Sequence, residues 1–247
     1  MKRFPLLPLV VAILFHASLI DQAIAQPIVT PIDATDDLDL VDAQVRYLQS
    51  LDLLVFEQKV AGGAGQTALQ PNGALDGAPV LGYVFPTTLA PRDVGFHVEA
   101  GIVALAITSH PDFDDTPLWD EDNDLNYSND GQRFHAHWVV LAPDERVPGG
   151  LSVVEFEPLE NSNPLPPTNP GMPMYMDSPG FSIVLDGSTL RVLVPAQRVN
   201  HRRDFQFDAV TAYMEVNTSD AARPLLGVYA VYDVLSGDLS LPYTVRQ

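Results

Sequence analysis

The sequence contains no cysteine, which excludes disulfide bonds and thiolate metal sites. Basic residues are scarce as well: 13 Lys and Arg stand against 32 Asp and Glu, which gives a formal net charge of −19. Contacts to nucleic-acid phosphates or to anionic membranes need a basic surface, so we predict no nucleic-acid partner. The same charge favours metal cations as partners.

Beyond the first twenty residues the chain also lacks any apolar run of the ~18 residues that a membrane-spanning helix needs. At the start, Lys2 and Arg3 precede an apolar run at residues 4–20. An Ala-x-Ala motif then ends at Ala25, just before Gln26. This order is typical of a secretory signal peptide that is cleaved between Ala25 and Gln26. We therefore predict a periplasmic or secreted protein that is not embedded in a membrane.

Catalytic signatures are absent too. The sequence has no G-x-S-x-G, no H-E-x-x-H and no phosphate-binding P-loop. It favours a protein that is not an enzyme. One alternative stays open, because hydrolytic zinc chemistry needs only three protein ligands and a water.

What the chain does have is 46% hydrophobic residues, arranged in short runs that Gly- and Pro-containing turns separate. This pattern predicts an all-β fold: a single β-sandwich of about ten short strands with long acidic and Pro-rich loops. We assign residues 1–25 to the signal peptide, residues 26–35 to a linker and residues 36–247 to the sandwich.

Residues 38–60 allow two interpretations. Leu38, Val41, Val45 and Leu48 have the spacing of a helical stripe. The β-branched residues and the glycine-rich exit favour two strands joined by a short turn, and we predict this hairpin.

The same segment carries a resemblance to a known family. Residues 36–45, followed by residues 53–56 and residues 60–62, resemble the first hairpin of secreted DOMON-like β-sandwich domains. That resemblance implies binding of b-type haem or of sugars, with Met and His as iron ligands in cytochrome members. It implies no ligand residue in this sequence.

The motif His135-Ala-His137 is the sharpest chemical signal. Residues i and i+2 of a strand point to the same face, so the two imidazoles lie close enough to share a metal ion. Neutral imidazole binds zinc and copper well. The alternative is that both histidines lie on the solvent side of a half-buried strand.

Two more histidines, His97 and His110, flank an apolar segment at residues 96–108 that has the composition of a strand buried on both faces. A straight strand would place them roughly 40 Å apart at ~3.3 Å per residue. We therefore predict that only one joins the pair, and His110, with acidic neighbours, is the better third ligand.

A second signal is an acidic loop with oxygen ligands at alternate positions, which predicts a Ca²⁺ site. Its candidate ligands are Asp120, Asp122, Asp124, Asn126 and Asp130. Leu125 stands where an EF-hand has its turn glycine, and Gly131 stands where it has its closing Glu, so a looser calcium loop or a merely solvated loop are the alternatives.

The third signal is the cluster Met172, Met174 and Met176 in a Pro-rich segment. Thioethers select Cu(I), and a Met–His pair is also a haem ligand set. The alternative is that the methionines cover an apolar patch. Together these signals predict an exported metal-binding protein that handles copper or zinc. A calcium-stabilised surface protein and a haem-binding DOMON-like electron carrier are the alternatives.

Overall fold

The computed structural model describes residues 30–67, 69, 75–110, 125, 134–156 and 165–247. Within these ranges the chain is built from strands, which confirms the all-β prediction. The strands are β1 (Leu40–Leu48), β2 (Leu53–Val60), β3 (Pro79–Pro86), β4 (Ile102–Ser109), β5 (His135–Pro143), β6 (Leu151–Val153), β7 (Met176–Asp177), β8 (Ser182–Asp186), β9 (Thr189–Pro195), β10 (Gln206–Phe207), β11 (Val210–Val216), β12 (Leu226–Val234) and β13 (Tyr243–Thr244). Short 3-10 helices occupy Asp36–Leu38, Pro91–Val94 and Ala196–Val199. No helix in the described ranges is long and apolar enough to span a membrane.

The larger sheet closes on itself. Its order is β4-β3-β11-β12-β6-β5-β7, and an additional pairing of β4 with β5 closes the first six of these strands into a barrel-like ring, with β7 paired to β5 as a branch. The predicted sandwich detail is therefore wrong, although the all-β class is right. The difference arises because pairings such as β3 with β11 join segments far apart in sequence, which strand periodicity does not reveal.

The smaller sheet, in the order β1-β2-β9-β8, packs against the outside of the closed sheet. Strands β1 and β2 form the predicted antiparallel hairpin, and the helical alternative is wrong. The layer between the sheets is aromatic. Phe56 of β2 meets Phe85 of β3 and Trp138 of β5 edge-on, at ring-centroid distances of 5.3 and 6.2 Å.

Strand β4 is buried on both faces, as predicted. Its side chains alternate between the layer below the smaller sheet, which holds Leu105, and the interior of the closed sheet, which holds Ala104 and Ala106. The strand begins at Ile102 rather than at residue 96, because Gly101 adopts φ 133° and turns the chain.

Candidate metal centre

Strand β5 presents His135 and His137 on one face. Even-numbered residues of this strand, among them Trp138, pack toward the smaller sheet, whereas Val139 belongs to the interior cluster of the closed sheet. His137 lines the same interior. The alternation predicted from the motif is therefore present, and it places the imidazoles inside the closed sheet.

His110 joins them because it continues the inward-facing series of β4. Thr108 pairs with His135 across the β4–β5 ladder, so the residue two positions later is a diagonal neighbour of His135. Nε2 of His110 lies 2.8 Å from Nε2 of His135. One ring nitrogen from each of the three histidines lies within 4.8 Å of the others.

All three rings are buried. His110, His135 and His137 are 3%, 4% and 2% exposed. The alternative of two solvent-facing histidines is therefore wrong.

A hydroxyl orients the third imidazole. The β5–β7 register pairs Trp138 with Asp177, so Ser178 comes to lie beside His137. The Oγ atom of Ser178 hydrogen-bonds to Nδ1 of His137 at 2.8 Å. This contact occupies Nδ1 and leaves Nε2 of the ring available to a metal ion, which is the usual way in which outer hydrogen bonds orient a metal-binding histidine.

The segment that carries Ser178 is itself held in place. Asp177 is fully buried, accepts a short hydrogen bond from the Thr168 hydroxyl and pairs with Arg198 at 3.2 Å. Burial raises the pKa of Asp177 despite these partners. The Ser178 amide also donates to the Thr168 carbonyl at 2.9 Å. Ser178 is thus positioned by a network rather than by an exposed loop.

Burial and neighbouring rings favour the neutral form of His137. Burial, followed by the proximity of His135 and His110, lowers the pKa of His137 well below 6.5. A neutral ring retains the lone pair that a metal ion needs.

The spacing of the nitrogens fits a metal ion after a small adjustment. Two imidazole nitrogens on a tetrahedral zinc, each about 2.0–2.1 Å from the ion, lie about 3.3 Å apart. The 2.8 Å between His110 and His135 must therefore open by about 0.5 Å. Three imidazoles would supply the ion with nitrogen ligands and leave further positions for a water or a substrate.

The methionine cluster shares the interior with the histidines. A cavity of about 80 Å³ lies inside the closed sheet, and His110 and His137 border it. All four methionines among the described residues line this cavity, namely Met172, Met174, Met176 and Met214. The predicted projection of alternate methionines to one side is therefore present, and the side chains also cover apolar surface, as the alternative had it.

Other predicted residues lie apart or outside the described ranges. Among the acidic-loop candidates, Asp120, Asp122, Asp124, Asn126 and Asp130 all fall outside the described residues. His97 is exposed in a separate groove with Arg198, and exposed His201 lies 3.7 Å from Asp52. Neither belongs to the histidine cluster.

Sequence reasoning missed three residues of this interior: Ser178, Thr108 and Met214. Two of them carried a readable signal. Ser178 continues the alternate series of the methionine cluster, and Thr108 precedes His110 by two positions in the inward series. Met214 comes from β11, which a non-local pairing places next to β3, so no local pattern points to it.

Replacing His137 with Gln in the metal-free protein is expected to flatten the pH dependence of its unfolding free energy below pH 6.5. As the pH falls below that value, the unfolded chain binds a proton that the buried ring resists, so stability is lost. The loss approaches about 1.4 kcal/mol per pH unit for one proton. Urea unfolding of both proteins at pH 7, 6 and 5 measures it. The raised pKa of Asp177 acts with the opposite sign but is common to both proteins, and equal slopes would contradict the prediction.

Comparison with protein-family models, with curated proteins and with solved structures found no match to this chain. The resemblance to DOMON-like domains therefore stays a prediction.

Proposed function

We propose that this chain is an exported protein that binds one transition-metal ion through His110, His135 and His137. The observation that supports the proposal is the burial of three imidazoles whose nitrogens lie within 4.8 Å of one another. Burying polar rings together is costly unless each is compensated. Without an ion, the His110–His135 hydrogen bond and the His137–Ser178 hydrogen bond offset part of this cost. A shared cation would replace the first of these bonds and bind all three rings at once, and the lowered pKa of His137 keeps that ring in the ligating form.

Copper is preferred over zinc because of the side chains around the cluster. Four thioethers and two of the imidazoles line one interior, and thioethers select Cu(I) whereas imidazole alone suits both metals. A protein with this lining stores or transfers copper without needing a reaction of its own. The net charge of −19 favours the approach of any cation.

The test is a titration of metal-free protein with Cu(I), Cu(II) and Zn(II), together with elemental analysis of protein as purified. We expect one equivalent to bind, with almost none bound by the His135→Ala/His137→Ala variant. Replacement of the exposed His97 and His201 by Ala is the matched control and should change nothing. Unchanged affinity in the His135→Ala/His137→Ala variant would remove the proposal.

The Met174→Leu/Met176→Leu variant separates copper from zinc. Leucine keeps the volume and the apolar character of the lining, so zinc affinity is expected to stay within twofold. Cu(I) affinity is expected to fall at least tenfold because the soft ligands are gone. Competition with a chromophoric Cu(I) chelator measures the Cu(I) affinity of both proteins. An equal affinity would mean that the methionines only line the cavity and do not bind copper.

The two alternative functions, calcium binding and haem binding, have less structural support. The calcium loop remains a prediction, since its ligands lie outside the described residues. A haem group is disfavoured at the methionines, because a cavity of about 80 Å³ is far smaller than the ~300–1,000 Å³ of pockets for larger organic ligands.

A further inference from the structure

The cavity inside the closed sheet has an uneven lining. Aliphatic and thioether side chains form almost all of it. The polar exceptions lie together near the end of β4 and the start of β5, and they are Thr108, His110 and His137. The cavity therefore has an apolar body and one polar end.

The hydroxyl of Thr108 marks that end. Thr108 is 4% exposed, and its Oγ1 atom has no hydrogen-bond partner among the described residues. A buried hydroxyl without a partner is energetically costly. The hydroxyl of Ser178, by contrast, is hydrogen-bonded to His137. The cavity thus presents one donor–acceptor group that its own walls do not satisfy.

We propose that this cavity binds a small uncharged molecule that is apolar except for one hydroxyl group, with that hydroxyl against Thr108. One water-sized probe needs about 10–15 Å³ of such space, so about 80 Å³ holds on the order of five to eight heavy atoms. A simple phenol has this size and this single polar group. The inference goes beyond metal binding, because nothing in it requires an ion at the histidines.

The experiment compares phenol with toluene, which replaces the hydroxyl by a methyl group of similar size. Dissociation constants come from NMR titration of protein as purified and again after treatment with a chelator. We expect both probes to bind, and the Thr108→Val variant, which keeps the side-chain shape, to bind phenol about three- to tenfold more weakly. Its affinity for toluene should be unchanged or higher.

Two variants locate the site. Ala212→Leu fills the cavity from β11, and Ala106→Val fills it more gently from β4 should the first variant fail to fold. Either folded variant is expected to lose both probes. Failure of wild-type protein to bind either probe, equal phenol affinity in Thr108→Val, or retained binding in a filled variant would each overturn the inference. Because binding is measured without metal, its failure is distinguishable from failure of the histidine site.

Discussion

The metal-free protein is expected to unfold about 8–16 °C higher when free zinc or copper is present at about a thousand times its dissociation constant. An ion that binds only the folded chain at that excess stabilises it by about 4 kcal/mol. For a chain of this size each kcal/mol raises the midpoint of thermal unfolding by about 2–4 °C. The three imidazoles come from β5 and from the residue after β4. The site therefore exists only in the folded sheet.

The increment, not the absolute midpoint, is the quantity to compare between variants. His135→Ala/His137→Ala removes buried side chains and lowers the midpoint of the metal-free protein. Its midpoint should nevertheless respond to zinc or copper by no more than about 1–2 °C, since residual binding by one ring is weak. Calcium is the informative second titrant. A calcium response that survives in this variant would support the acidic loop, and a zinc response of full size would refute the histidine site.

The part of this site that could be predicted from the sequence depends on strand parity. The period of two placed His135 and His137 on one face and Trp138 on the other, and this arrangement is observed. The same rule also covers Thr108 with His110, and Ser178 with the methionines. The alternation of side chains between the two faces of a strand does not depend on which strands lie beside it. It can therefore be predicted before the fold is known.

Closure of the sheet could not be predicted in this way. It depends on the β4–β5 pairing together with pairings across more than a hundred residues, such as β3 with β11. Burial of the histidines follows from closure, because a strand face that would meet solvent in an open sheet becomes an interior. The alternation along a strand therefore predicts which residues share a face. The topology of the sheet decides whether that face is exposed to solvent or buried in a core.

Gly101→Ala is expected to destabilise the protein by about 2–6 kcal/mol and to weaken metal binding with it. Gly101 has φ 133°, which costs a residue with a side chain about 1–3 kcal/mol. A Cβ atom there would overlap Cγ1 of Val140 and lie 3.2 Å from the Leu141 carbonyl oxygen. Overpacking of this kind adds about 1–3 kcal/mol. Both neighbours belong to β5, so the strand that carries the histidine pair must shift.

Gly149 and Gly150 serve as controls that separate backbone strain from steric overlap. Gly150 also has a positive φ, +71°, but a Cβ atom would meet nothing within 4 Å, so Gly150→Ala should cost only about 1 kcal/mol for the backbone. At Gly149 a Cβ atom would lie 2.6 Å from the Val228 carbonyl oxygen, so Gly149→Ala should cost about 1–3 kcal/mol through contact alone. Chemical denaturation of the three variants is expected to rank Gly101→Ala as the most costly. If Gly101→Ala lowers the unfolding free energy no more than Gly150→Ala does, β5 can shift at Val140 without cost. The turn at Gly101 would then not set the position of the strand that carries the histidines.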